Sequence, residues 1–194
     1  MNSSADNTTR LAGTVLLYRE AMQPQVELFY TSANRVLGLS INKKFAPEVQ
    51  PDSVNEERLR PAVNSSIAAY WPWMIYQDTE GDLIQVRNLL AGGSYSPQSS
   101  WDVDKLGVFP LLGSSLAVVP LFTNITKSSW KGGYAIFYQG SDNHIHVHIP
   151  EINAEDIRQP YYHSLPSSTP TVQIPPRAPI AAFAVARPGD SQTR

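Results

Sequence analysis

The sequence contains no cysteine at all, and that single absence removes both a disulfide framework and any thiolate zinc site. It leaves the compartment open between an exported protein with a sufficient core and an intracellular one. Charge is scarce and nearly balanced: 15 basic against 17 acidic residues give a formal net charge of -2, with no block of one sign. Phosphate-backbone recognition therefore has no electrostatic footprint, and nucleic acid is not an expected partner. No apolar run reaches the roughly 18 residues of a membrane span. The polar first ten residues and the early interruption of LAGTVLLY by Arg19 and Glu20 read poorly as a signal peptide. Also missing are the G-x-S-x-G elbow, the phosphate-binding loop and the dinucleotide fingerprint.

What is present is a hydrophobic fraction of 42% in 194 residues, with sixteen prolines, eleven glycines and 10% aromatic residues. This composition fits a folded globular chain of short strands joined by irregular loops, so all-β is the expected class. Four N-x-S/T sequons, at Asn2, Asn7, Asn64 and Asn124, fit a surface rich in serine and asparagine and do not decide the compartment.

The clearest local signal is GYAIFYQGSDNHIHVHIPE, Gly133 to Glu151, two alternating runs around a Gly-Ser-Asp-Asn turn, which predicts a β-hairpin. Weaker copies are VELFYTSANRVLGLSIN (Val26 to Asn42) and WMIYQDTEGDLIQVRNL (Trp73 to Leu89). In each, a tyrosine precedes an aliphatic residue by seven positions: Tyr30 with Leu37, Tyr76 with Leu83, Tyr138 with Ile145. Small-then-aliphatic segments open near Ser65, Ser114 and Ala178, at spacings close to the roughly 40 to 50 residues of a four-stranded propeller blade.

The expected organisation is a β-propeller-like fold with about three to four blades of four antiparallel strands, a partial propeller. A disordered lead-in occupies 1–10, and a single domain spans 11–187, with units near 11–64, 65–113 and 114–177, a closing strand at 178–187 and a tail at 188–194. Leu11 to Tyr18 is the first strand, Tyr95 to Val103 an outermost one. Lys43 to Asn64 reads as a long connector with one helical turn in Asp52 to Leu59. A blade cannot cover both faces of its own sheet, and rings close with about four to eight blades. A homo-oligomer completing the ring is therefore one expectation.

The order of SSIAAYW, an aromatic-Tyr-Gln strand, the turn DTEGDLIQ and a tryptophan strand resembles the fungal fucose-specific lectins, six-bladed propellers that bind sugars between blades. The resemblance covers Ser65 to Glu151 best. It implies a site made of an arginine three positions before the tyrosine of the Tyr-Gln pair, a glutamate nine after it, and an aromatic residue from a neighbouring blade. Here the arginine positions carry Glu27, Trp73 and Ala135, and the glutamate positions carry Leu39, Gln85 and Val147. The resemblance thus implies glycans or glycoproteins as partners, no cofactor, and sites that depart from the fucose pattern.

Aromatic faces suit the apolar C–H face of a sugar, while its hydroxyls need amide or guanidinium partners. On that chemistry the candidate carbohydrate-binding residues are Trp73, Gln85, Arg87, Tyr95, Trp101, Trp130 and Tyr134. The competing reading makes the aromatics blade-packing core. His144, His146 and His148 alternate with aliphatic residues and share one strand face, but the first and third stand roughly 13 Å apart along a strand, too far for one metal shell. Asp78, Glu80 and Asp82 fall in one turn and Asp102 and Asp104 flank an outer strand, which supplies no visible acid and base pair. The expected function is a non-catalytic lectin; the alternatives are a protein-interaction propeller and a glycosidase remnant.

Overall fold

The computed structural model describes residues 10–17, 24–32, 35–43, 47–51, 53–70, 72–88, 101–120, 134–150 and 172–183. They form three antiparallel sheets. The first is a four-stranded meander of β1 (Leu11–Leu17), β2 (Pro24–Ser32), β3 (Arg35–Lys43) and β4 (Pro47–Pro51). The second repeats the order with β5 (Ile67–Tyr70), β6 (Trp73–Gln77), β7 (Leu83–Asn88) and β8 (Trp101–Lys105). The third holds β9 (Leu116–Pro120), β10 (Tyr134–Gln139) and β11 (Ile145–His148). Where a fourth strand would lie, Ile145 N donates to Val172 O (3.2 Å) and Ile174 N to Asn143 O (2.9 Å), around a single His144–Gln173 bridge. The first strands of successive sheets, β1, β5 and β9, run side by side, which is how blades meet near a propeller axis.

One feature of the sequence reading is corrected. The stretch read as a connector contains β4, paired with β3 from Leu39↔Pro51 to Lys43↔Pro47. As the outermost strand it needs hydrogen bonds on one side only, so its two prolines are tolerated where a central strand would exclude them. Within the same stretch the expected helical turn is a short 3₁₀ turn, Ser53–Glu56. The seven-residue spacing marks direct cross-strand partners only for Tyr30↔Leu37; Tyr76 faces Ile84 and Tyr138 faces His146. The latter two hairpins have longer turns, which displace the register by one residue. The lead-in before Arg10, residues 95–100, the loop around Tyr161 and the chain after Phe183 lie outside the described residues.

Period-two alternation gives each sheet two faces, and consecutive sheets bury them against each other. Phe29 and Val36 of the first sheet meet Ile67, Met74, Tyr76, Ile84, Val86 and Trp101 of the second, with Val54 and Leu59 closing the layer from the linker. The opposite face of the second sheet, through Ala68, Ile75 and Leu83, meets Leu116, Tyr134 and Ile136 of the third.

The linkers between blades repeat as closely as the strands. Ser65 N, Ser114 N and Ala178 N each donate to a carbonyl three residues back, on Ala62, Leu111 and Pro175 (3.0, 2.9 and 3.0 Å). In each turn the residue before the donor is left-handed: Asn64 (φ 62°), Gly113 (73°) and Arg177 (59°). Glycine and asparagine suit that conformation, whereas arginine adopts it at a cost of about 1 kcal/mol. Residues 177–181 therefore repeat the entry into an inner strand, although 178–183 have no strand partner among the described residues.

A buried glutamine fastens these linkers. Gln77 Nε2 donates to Gly81 O and Pro110 O (3.0 and 3.1 Å), and its Oε1 accepts from Gly113 N (2.9 Å). Gln139 Nε2 donates to Ile174 O and Pro175 O (3.1 and 3.0 Å), and its Oε1 accepts from Arg177 N (2.7 Å). Their backbone carbonyls accept from the preceding linker, Ala62 N to Gln77 O (2.7 Å) and Leu111 N to Gln139 O (2.8 Å). Each glutamine of the Tyr-Gln pair thus joins the incoming linker to the outgoing one.

Candidate functional site: the seam between the second and third sheets

The face of the second sheet turned toward the third carries a row of cross-strand partners, Tyr70↔Trp73, Trp73↔Arg87 and Arg87↔Asp102. Directly paired residues share a face, so these side chains are neighbours, and the next row on the same face adds Ile75, Gln85 and Asp104. Trp73 and Gln85, which stand at the arginine and glutamate positions of the lectin pattern, therefore lie on one surface. The Pro72 turn makes Tyr70 the partner of Trp73, and their rings stack with centroids 6.1 Å apart and planes 14° apart. Both are only half-buried.

Tyr134, at the start of β10, meets this face from the third sheet. Its ring lies 5.0 Å from that of Trp73 at 40°, it is fully buried, and its hydroxyl donates to Gln85 Oε1. Burial, reinforced by the charge of Asp104, pushes the Tyr134 hydroxyl well above its ordinary pKa, so it stays a neutral donor and holds the Gln85 amide in one orientation. Arg87 is exposed at the rim. The arrangement offers two aromatic rings, an amide and a guanidinium on one strip of surface.

Trp101 does not join it. Its cross-strand partner is Asn88, one residue out of phase with Arg87, so it lies on the opposite face, 7% exposed, with its ring edge-on to Phe29 at 6.0 Å and 89°. Trp101 and Gln85, both candidate residues, are thus on opposite faces of the second sheet. Tyr95 and Trp130 lie outside the described residues. Sequence reading missed Tyr70, although Pro72 between Tyr70 and Trp73 signals the tight turn that pairs them.

The histidines have local partners. Asp142 Oδ1 accepts from His144 N (3.0 Å), and the same carboxylate contacts His146 Nε2 at 2.9 and 3.1 Å. His146 stacks on Tyr138, its cross-strand partner, at 5.6 Å and 18°. The hydrogen bond to His146, then that from His144 N, holds the Asp142 carboxyl below its ordinary range. His148, opposite Ile136 and half-buried, has its pKa lowered by burial. Among the described residues no three His, Cys, Asp or Glu side chains converge as a metal site would require. The carboxylates at 78–82 organise their turn: Asp78 Oδ1 accepts from Glu80 N and Asp82 N (2.9 and 3.0 Å), and Asp82 Oδ1 from Val108 N (2.9 Å). No helix among the described residues is long and apolar enough to cross a membrane.

No protein-family model matches the chain, and no curated protein matches it in sequence. Solved structures do. A triple arginine-to-alanine mutant of AofleA from Arthrobotrys oligospora superposes with a TM-score of 0.58 at 20% identity, over 75% of this chain and 40% of that one. The six-bladed lectin of Aleuria aurantia, described with a novel fucose recognition mode, gives 0.54 at 14% identity, over 74% and 46%. A mutant of the Aleuria aurantia lectin in complex with Fucα1-6GlcNAc gives 0.53 at 13% identity, over 91% and 52%. The chain thus spans about half the length of the structures it matches, and it has the all-β, propeller-like blade fold of these fungal fucose-binding lectins.

Proposed function

We propose that the chain is a non-catalytic, lectin-like protein that receives a glycan at the seam between its second and third sheets. The observation that carries this reading is the half-exposed Tyr70–Trp73 stack with Gln85 and Arg87 on the same face. A sugar can lay its apolar face on the rings while its hydroxyls bond to the amide and guanidinium. Tyr134 acts from beneath, as a positioning residue for Gln85. With Trp73 and Gln85 in place of arginine and glutamate, a fucose would forgo charge-assisted bonds worth roughly 1.5 to 3 kcal/mol each, so a different glycan, free or on a glycoprotein, is favoured.

A glycan array probed with the wild-type chain and with Trp73→Ala tests the reading. We expect selective binding by the wild type and at least tenfold weaker binding by the variant; no binding to any glycan would remove the lectin and leave a protein-interaction module. The non-catalytic part is supported by the lectin neighbours and by the use of Asp78 and Asp82 as turn acceptors. Turnover of an aryl glycoside that disappears in Asp104→Asn would overturn it. The blades needed for a closed ring come, in this proposal, from a second copy, and light scattering that returned only the 21.4 kDa monomer would argue against that.

A further inference from the structure

Away from that seam, the linkers of the blades surround a cavity of about 410 Å³ at one end of the inner strands. Its lining follows the repeat. Asn64, Gly113 and Arg177 are the three left-handed linker residues, and Ser66, Ser115 and Pro179 stand two positions further along the same linkers. Arg10, immediately before β1, completes it. The cavity therefore lies at the mouth of the propeller axis, and none of the described residues that line it carries a carboxylate.

Its charge comes from two guanidinium groups, and neither meets a carboxylate among the described residues. Arg10 is anchored through its backbone, with its N donating to Thr31 Oγ1 (2.9 Å) and its O accepting from Thr31 N (3.0 Å). Arg177 Nε donates to Leu112 O (3.2 Å), which holds the base of the fork and leaves its terminal nitrogens for another acceptor. Gly113, left-handed at φ 73°, lies beside this contact, and a methyl there would stand at ordinary van der Waals distance, 3.6 Å, from both Arg177 Nε and Asn64 Cβ. At the equivalent position the other two linkers carry Asn64 and Gly113, so of the three only the third brings a charged side chain to this part of the lining.

We propose that this axial mouth binds a tetrahedral oxyanion, a phosphate or sulfate group, between Arg10 and Arg177. Planar guanidinium forks match two oxygens of such a group at once, and the hydroxyls of Ser66 and Ser115 supply uncharged donors for the rest. The cavity is larger than the ion, so the group can arrive free or attached to a sugar ring. The site is independent of the proposed glycan site.

Calorimetric titration of the full chain with sodium phosphate, at ionic strength held constant with chloride, is expected to give saturable binding. Arg10→Gln and Arg177→Asn should each weaken it at least tenfold, while Arg60→Gln, outside the cavity, leaves it within twofold. Arg177→Asn retains a left-handed turn, since Asn64 adopts one at the equivalent position. Should either variant fail to fold, phenylglyoxal modification of the wild type gives the same answer: phosphate should slow modification of Arg10 and Arg177 and leave Arg60 unprotected. Unchanged affinity in both variants, or equal modification rates with and without phosphate, would overturn the proposal. A 6-sulfated hexose binding at least tenfold tighter than inorganic sulfate would support a glycan-borne group; equal affinities would support the free ion.

Discussion

The two seams between consecutive blades use the same strand positions for different ends. At the first, Tyr76, Ile84 and Val86 of the second sheet face Phe29 and Val36, and Trp101 fills the outer edge, all buried. At the second, the corresponding positions on the third sheet are Tyr138, His146 and His148, and much of the facing aromatic surface on the second sheet, Tyr70 and Trp73, is only half-buried. One seam is sealed with aliphatic and aromatic volume, and the other contains amides, imidazoles and a phenol with their hydrogen bonds. The difference puts the sealed packing on one face of the second sheet and the polar groups of the proposed glycan site on the other.

The largest expected effect comes from the sealed seam. Trp101→Ala should cost about 3 to 5 kcal/mol of unfolding free energy, because the ring leaves a cavity against Phe29, and the folded fraction should keep its affinity for any glycan. Denaturant unfolding together with a binding titration checks both halves, and loss of glycan affinity by folded Trp101→Ala would contradict the division. Trp73→Ala inverts the pattern: about 1 to 2 kcal/mol of stability, since the ring is half-exposed, but most of the binding. Tyr134→Phe is milder, removing the hydroxyl that orients Gln85 for about 1 kcal/mol, with glycan affinity falling severalfold as the amide is released.

The smallest effect is a pH response confined to the second seam. Burial lowers the pKa of His148, so the folded state favours the neutral ring; its contribution is present above the ordinary histidine pKa of 6.5 and is lost as pH falls through the lowered value. Melting temperature should therefore decline as pH drops below 6.5, with a shallower slope in His148→Gln. A separate loss belongs to Asp142, whose carboxylate contribution is present above the ordinary value of 3.8 and disappears as pH falls through its lowered value. An unchanged slope in the histidine variant would place the acid response elsewhere.

How far these seams could be read from sequence depends on parity. Alternation in WMIYQ and LIQVRN and the repeated Tyr-Gln pair are local signals, so most of the strands and the all-β, propeller-like class were legible. Which face Trp101 occupies was not, because the sequence does not give the pairing of β7 with β8, and a shift of one residue reverses every side chain. Tyr70 was overlooked for a related reason, since only the turn at Pro72 makes it the partner of Trp73. β4 was obscured by its own prolines, which edge position excuses. The axial mouth had no sequence signature at all: Arg10 and Arg177 are 167 positions apart and line one cavity only because the linkers repeat around one axis.

The paired glutamines set a boundary that differs from the one drawn by the sheets. Counted by strands, the second repeat runs from Ile67 to Lys105; counted by buried hydrogen bonds, it runs from one fastening to the next, Gln77 to Gln139. A duplication or deletion cut between Gln77 and Gly113 would leave a buried amide and a linker N–H without partners. One cut from glutamine to glutamine would preserve every such bond. Shuffling of whole blades is best done at the Tyr-Gln dipeptides.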